Sequence, residues 1–191
     1  FDPIHYGHLT IANEVRHLLD LDRMLIVPAG RPPHKHRTDI TPAEQRAEMV
    51  ALGIASNPHF ELSRVDVDRA GYSYTVDTLR VLREQLGADD VLYFVVGSDS
   101  LKDLPEWHRP LDILRLALLV SVSRPGEPSD HAALERDLPG ALQRVVQVSV
   151  PQLQISSSDL RRRVAEGRPI KYQLPEPVES YVYRQGLYRR P

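Results

Sequence analysis

His5 and His8 flank Gly7 in the stretch Phe1-Asp2-Pro3-Ile4-His5-Tyr6-Gly7-His8-Leu9, at the head of a 191-residue chain. Asp2-Pro3 reads as a turn out of an extended segment. Leu9, Ile11, Ala12, Val15, Leu18 and Leu19 then recur with helical period, so the histidines fall where an extended segment hands over to a helix. A helix start offers unpaired N–H groups and the positive end of the helix dipole to an anion. Gly7 removes a Cβ where a ligand could approach the backbone, and His5 and His8, three apart, can reach one phosphate together. That chemistry suits a nucleoside triphosphate. A turn carrying two solvent-facing histidines fits the same residues.

A second segment, Ile155-Ser156-Ser157-Ser158-Asp159-Leu160-Arg161, sets three hydroxyls ahead of a helical pattern over Leu160 to Val164. Serines there cap a helix, and their hydroxyls and amides make another anion site. Arg161 lies in the first turn, where a guanidinium bridges phosphate oxygens bidentately. Arg162 and Arg163 follow, but successive helix residues point about 100° apart, so the three cannot face one ligand. A capped surface helix with solvated arginines is the plainer account of this segment alone.

Together the two segments resemble the H-x-G-H nucleotidyltransferases, which join a nucleoside triphosphate to a phosphate-bearing acceptor. Their second signature, I-S-S-T-x-I-R, is matched by Ile155, Ser156 and Ser157, with Ser158 for Thr and Leu160 for Ile ahead of Arg161. Both exchanges keep the hydroxyl or the aliphatic character. The resemblance also implies a short strand and a Gly-Gly-Thr or similar run before the first motif. The chain begins at Phe1 without Met, so those residues are expected to precede it.

Positioning these groups requires a scaffold, and the intervening sequence alternates short apolar runs with helical patterns. Arg23 to Val27 reads as a buried strand closed by Pro28. Thr41-Pro42-Ala43-Glu44 reads as a capping box with proline at the first helical position, opening a helix to about Ser56. Phe60, Leu62, Val65 and Val67 suggest a strand, and Val76 to Leu86 a helix ending at Gly87. Val91 to Val96 is the clearest buried strand, with two more at Leu116 to Val122 and Val145 to Val150. Such alternation predicts an α/β fold with a doubly wound parallel sheet covered on both faces, a Rossmann-like nucleotide-binding architecture. Residues 1–191 are expected to form a single nucleotidyltransferase domain. Ala29 to Ile40 is a long loop expected to edge the site. Pro175 to Gly186 reads as a capped helix whose Val178, Tyr181 and Val182 face its own domain.

Composition excludes several classes. With 41% hydrophobic residues, one domain with a sizeable core is expected. The 24 Lys and Arg against 26 Asp and Glu leave a net charge of −2, which argues against a broad nucleic-acid surface. The absence of cysteine removes disulfides, thiolate metal sites and a cysteine nucleophile. There is no apolar run of membrane-spanning length and no signal peptide, so a cytoplasmic protein without membrane partners is expected.

Further motifs occur in order: Pro32-Pro33-His34-Lys35, Ser73-Tyr74-Thr75-Val76-Asp77-Thr78-Leu79, Gly97-Ser98-Asp99, Trp107-His108 and Arg124-Pro125-Gly126. From Phe1 to about Arg190 the set is similar to the bacterial nicotinate-nucleotide adenylyltransferase family. Gly97 follows the best strand, at the carboxyl edge where ligands bind in such sheets. Asp99 suits ribose hydroxyls, or caps the next helix. Trp107, the sole tryptophan, lies in so polar a segment that a stacking platform explains it better than a core position. Lys35 fits a phosphate contact or a solvated loop. His34 and His36 look like a metal pair, but a protein-held metal site is not expected.

The resemblance implies adenylyl transfer from ATP to nicotinate mononucleotide, giving deamido-NAD and pyrophosphate. His5 and His8 would hold the transferring phosphate and leaving group. Ser157, Ser158 and Arg161 would bind the β and γ phosphates, with Gly7, Gly97, Asp99, Ile155 and Ser156 also against ATP. Trp107 would stack on the pyridine ring, and backbone groups near Thr75 and His108 would meet its carboxylate, beside Tyr74 and Lys35. Mg²⁺ would enter with ATP. Two rivals are another adenylyl- or cytidylyltransferase, such as phosphopantetheine adenylyltransferase, and a non-catalytic nucleotide sensor. The first commonly carries threonine where this chain has His5.

Overall fold

The computed structural model describes residues 1–33, 40–87, 89–123, 132–151 and 153–189. In chain order the elements are α1 (Tyr6–Leu18), β1 (Met24–Ile26), α2 (Ala43–Ile54), β2 (Phe60–Leu62), α3 (Thr75–Gln85), β3 (Tyr93–Gly97) and α4 (Ser98–Lys102). Then follow α5 (Pro110–Leu116), β4 (Leu118–Ser123), α6 (Ala132–Asp137), β5 (Val145–Ser149), α7 (Ser157–Ala165) and α8 (Glu176–Arg184). They fall into two compact units, Phe1–Tyr72 with Gln152–Pro191, and Ser73–Pro151. Strands and helices alternate and every strand pairing is parallel, the α/β class expected from the sequence.

In the first unit β1 and β2 pair in register Met24 to Phe60 and Ile26 to Leu62. Helix α2 turns Ala47, Met49, Val50 and Ile54 inward, and α8 packs against it through Val178, Tyr181 and Val182, all buried. The carboxy-terminal helix thus covers its own unit. Gly53 is what lets residue 4 pass so close to α2: a Cβ at this position would lie 2.8 Å from Cγ2 of the fully buried Ile4.

Two local expectations fail here. Pro42, not Thr41, is the residue before the helix, and no side chain caps α2. The Thr41 carbonyl instead accepts from Nε of buried Arg46 at 2.8 Å, while its Nη1 and Nη2 donate to the carbonyls of Ala29 and Gly30. A buried guanidinium requires such acceptors, and this one gathers them from both ends of the 29–41 segment. The strand at Phe60 stops at Leu62 because Val65 and Val67 lie in a turn. Arg64 pairs there with Asp68 and Arg69 with Asp66, each at 2.7 Å.

In the second unit the order is β3-β4-β5, with Val95 opposite Val120 and Val120 opposite Val146. Leu119, Val120, Ser121 and Val122 are buried in an unbroken run, as a central parallel strand demands. Val91 to Val96 reads from the sequence as the clearest buried strand. The strand instead runs Tyr93–Gly97 at the end of this sheet's order, and Val91 is 63% exposed. Val76, Leu79, Leu101, Leu104, Ile113 and Leu119 form the core beneath α3 and α5.

Gly53→Ala tests the close approach in the first unit. Helix propensity favours alanine by about 1 kcal/mol, whereas overpacking costs about 1–3 kcal/mol. Ile4 is β-branched and enclosed, so the clash wins and Tm should fall by several degrees. A Tm at or above that of the wild type would show that residue 4 yields freely.

Candidate active site

His5 precedes α1 with extended backbone (φ −149°, ψ 170°), and its carbonyl accepts from the amides of His8 and Leu9. The amide of Tyr6 donates to the Gln173 carbonyl, and that of Gly7, one residue on, has no acceptor within the helix. The imidazoles stack, with centroids 3.7 Å apart and planes at 25°, and Phe1 meets His8 edge-on at 4.8 Å. His5 is 4% exposed and its Nδ1 makes no hydrogen bond. Burial lowers its pKa to about 4, so the ring is neutral at pH 7. Gly7 serves this packing: a Cβ would stand 3.0 Å from both Cε1 and Nδ1 of His5. The space that the sequence suggested for a ligand's approach is filled by a neighbouring side chain.

The second signature comes to the same corner. Ser156 caps α7 by accepting from the Asp159 amide at 3.1 Å. Ser157 Oγ donates to the Pro3 carbonyl at 2.9 Å, and Arg161 Nη1 donates to the Asp2 carbonyl at 2.7 Å from 159 positions away. Arg161 Nη2 donates to Ser158 Oγ at 3.2 Å, and the Ile155 carbonyl lies beside Gly7. Arg162 and Arg163 turn to Asp159, as their helical offsets require.

Two residues outside the sequence-derived set complete this corner. The Asp2 carboxylate is buried, accepts from the Tyr188 hydroxyl at 2.8 Å and lies 4.0 Å from Arg161. Burial, then the Asp2 charge, holds the Tyr188 phenol well above its usual range, so it stays a donor. Asp2 could have been found from its place beside the histidines, whereas nothing local marks Tyr188. A cavity of about 600 Å³ opens here, lined by Thr41, Gln45, Ser158, Arg161, Tyr188 and Arg189 among others, with no acidic residue among the described lining.

In the second unit, Tyr74 and Thr75 start α3 and His108 lies just before α5. The Tyr74 and His108 rings meet at 4.4 Å. Trp107 is half-buried and packs on the core, edge-on to Phe94 at 6.1 Å, so part of the indole is core after all. Gly97 has ordinary backbone angles, and a Cβ there would meet nothing within 4 Å. Asp99 sits in the first turn of α4, fully exposed, 3.3 Å from Lys102. Lys35, with His34 and His36, lies outside the described residues, as does Arg124-Pro125-Gly126. Among the described residues no three His, Asp or Glu side chains cluster so as to hold a metal ion, and no helix is long and apolar enough to cross a membrane.

The Cytidylyltransferase-like family model matches residues 1–163. A protein of Thermomicrobium roseum named "Probable nicotinate-nucleotide adenylyltransferase" is 51% identical over 189 residues, covering 99% of this chain and 88% of that one. A Thermus thermophilus protein of the same name is 45% identical, covering 99% and 95%. Plasmodium falciparum nicotinic acid mononucleotide adenylyltransferase complexed with NaAD superposes at TM-score 0.77, with 21% identity, over 98% of this chain and 93% of that one.

The state of His5 has a consequence for stability. Unfolded, it takes a proton near 6.5; folded, it resists until about 4. Between those values the unfolded chain binds the extra proton, so this contribution is complete above pH 6.5 and lost as pH falls toward 4. Tm measured from pH 8 to 4.5 should drop more steeply for the wild type than for His5→Asn. Parallel curves would place the titration elsewhere.

Proposed function

The chain belongs to the nicotinate-nucleotide adenylyltransferase family, and from that premise we propose that it transfers the adenylyl group of ATP to nicotinate mononucleotide, forming deamido-NAD and pyrophosphate in NAD biosynthesis. The observation that carries the site assignment is the meeting of the His5–His8 corner with Arg161 across 159 positions of sequence. The reading keeps residues 1–191 as one functional domain, since the family match runs through both units.

The acceptor phosphate is already an anionic nucleophile, so no general base is needed. One of its oxygens bonds to the α-phosphorus of ATP as the bond to the β-phosphate oxygen breaks, and pyrophosphate leaves with that electron pair. Catalysis is then positioning and charge stabilisation. Neutral His5 offers a hydrogen bond rather than a cation and supports the His8 ring against the transferring phosphate. The backbone amides at the start of α1, that of Gly7 among them, are assigned to the same group. Ile155 and the serines 156–158 set the start of α7, where Ser157, Ser158 and Arg161 receive the β and γ phosphates. Arg161 meets the Asp2 carbonyl on one side and Ser158 on the other, so its plane is set before ATP arrives. Mg²⁺ would enter with ATP, held mainly by phosphate oxygens and water, and would screen the polyphosphate charge. Gly97 and Asp99 are assigned to the adenosine end. Tyr74, Thr75, Trp107, His108 and Lys35 are assigned to the mononucleotide. With ATP as donor, the reaction is assigned to the cytoplasm.

Purified protein with ATP and Mg²⁺, offered nicotinate mononucleotide, nicotinamide mononucleotide or phosphopantetheine, tests the substrate by pyrophosphate release. Backbone N–H groups near Thr75 and His108 suit a carboxylate that accepts at both oxygens, whereas a carboxamide leaves one donor facing another. Such mismatches cost about 10⁴–10⁵-fold in kcat/KM. Comparable rates with the amide would defeat acid specificity, and turnover of phosphopantetheine alone would move the chain to another branch. His8→Ala should lower kcat by about 10²–10³-fold with folding intact, the scale of one lost preorganised donor. Near wild-type kcat would remove His8 from the chemistry.

A further inference from the structure

Arg109 is a non-glycine residue in the left-handed region, φ 57° and ψ 58°, directly after His108 and directly before Pro110. Both facts are unusual. A large side chain rarely adopts positive φ, and a residue before proline is pushed toward extended backbone. Strain of this kind persists only where the surroundings over-determine it, and it concentrates at functional sites.

Asp112 supplies the determination. Its carboxylate pairs with Arg109, accepts from Arg115 Nη1 at 3.1 Å and from Arg80 Nη2 at 3.1 Å, and its amide donates to the Arg109 carbonyl at 3.1 Å. The Asp112 side chain is only 21% exposed. Three cations converging on one partly enclosed carboxylate form a network, which holds geometry better than a single exposed pair.

Arg80 carries the link further. It belongs to α3, its Nη1 also pairs with Asp77 at 3.3 Å, and α3 packs against α5. The first residue of α3 is Thr75; the residue two before α5 is His108. One carboxylate therefore ties together the two segments whose amides are assigned to the pyridine carboxylate, and the 4.4 Å contact of the Tyr74 and His108 rings lies where they meet.

We propose that Asp112 is a positioning residue for substrate choice: through Arg109 and Arg80 it fixes the spacing and direction of the His108 and Thr75 amides, and so sets the preference for the acid over the amide form of the mononucleotide. This rests on the proposed function. Asp112 touches no substrate itself.

The test uses Asp112→Asn in the full chain, a change that keeps shape and removes charge. With ATP and Mg²⁺, kcat/KM is measured for nicotinate and nicotinamide mononucleotides, together with KM for ATP and Tm. The acid-to-amide ratio should fall by about 10–100-fold, the scale of small misplacements of binding groups, while KM for ATP stays within about threefold. Arg80→Gln, which cuts the tie to α3 together with the Asp77 pair and leaves Asp112 with Arg109 and Arg115, should lower the ratio too and serves if Asp112→Asn does not fold. A ratio preserved in a folded variant, with or without a lower Tm, overturns the proposal and leaves Asp112 a structural residue. Equal rates on both mononucleotides in the wild type overturn the substrate reading, and this proposal with it.

Discussion

A carboxylate withdrawn from water at Asp2 is the constraint around which the corner of His5, His8 and Arg161 is organised. A buried charge without partners is costly, so the chain must bring donors to it. They come from far along the sequence: the Tyr188 hydroxyl from the segment after α8, and the Arg161 guanidinium from the first turn of α7. Ser157 adds a bond to the carbonyl of Pro3. Neutralising Asp2 and assembling the two signature motifs are one event, and neither motif can reach its final geometry while the other is absent.

The two histidines look equivalent in the sequence and differ in the structure. His5 is enclosed, neutral and packed against the backbone of Gly7, while His8 stacks on it from a less buried position. Enclosure keeps the His5 ring in one protonation state from neutral pH down to about 4. Gly7 makes this possible by yielding volume to a ring in its own chain.

Short-range patterns were legible because their causes are short-range. Helical periodicity gave α1, α3 and α8, apolar runs gave β1, β4 and β5, and the serine run gave the Ser156 cap. Val91 misled because an apolar run carries no record of its neighbours, and the buried central position went to β4. The capping box at Thr41 failed because α2 takes Pro42 as its N-cap, and proline has no side-chain acceptor to offer. Tyr188, Arg46, Arg80 and Asp112 stayed hidden for another reason. Each is an ordinary residue type whose meaning lies in a partner distant in sequence, and no local pattern encodes such a pairing.

Arg46 has a bearing on how the segment before α2 is held. Its three donors hold the carbonyls of Ala29, Gly30 and Thr41, so the two feet of that loop are pinned to α2 independently of what joins them. One enclosed side chain thus sets the backbone at two places twelve positions apart, and losing it would leave three carbonyls without their donor at once.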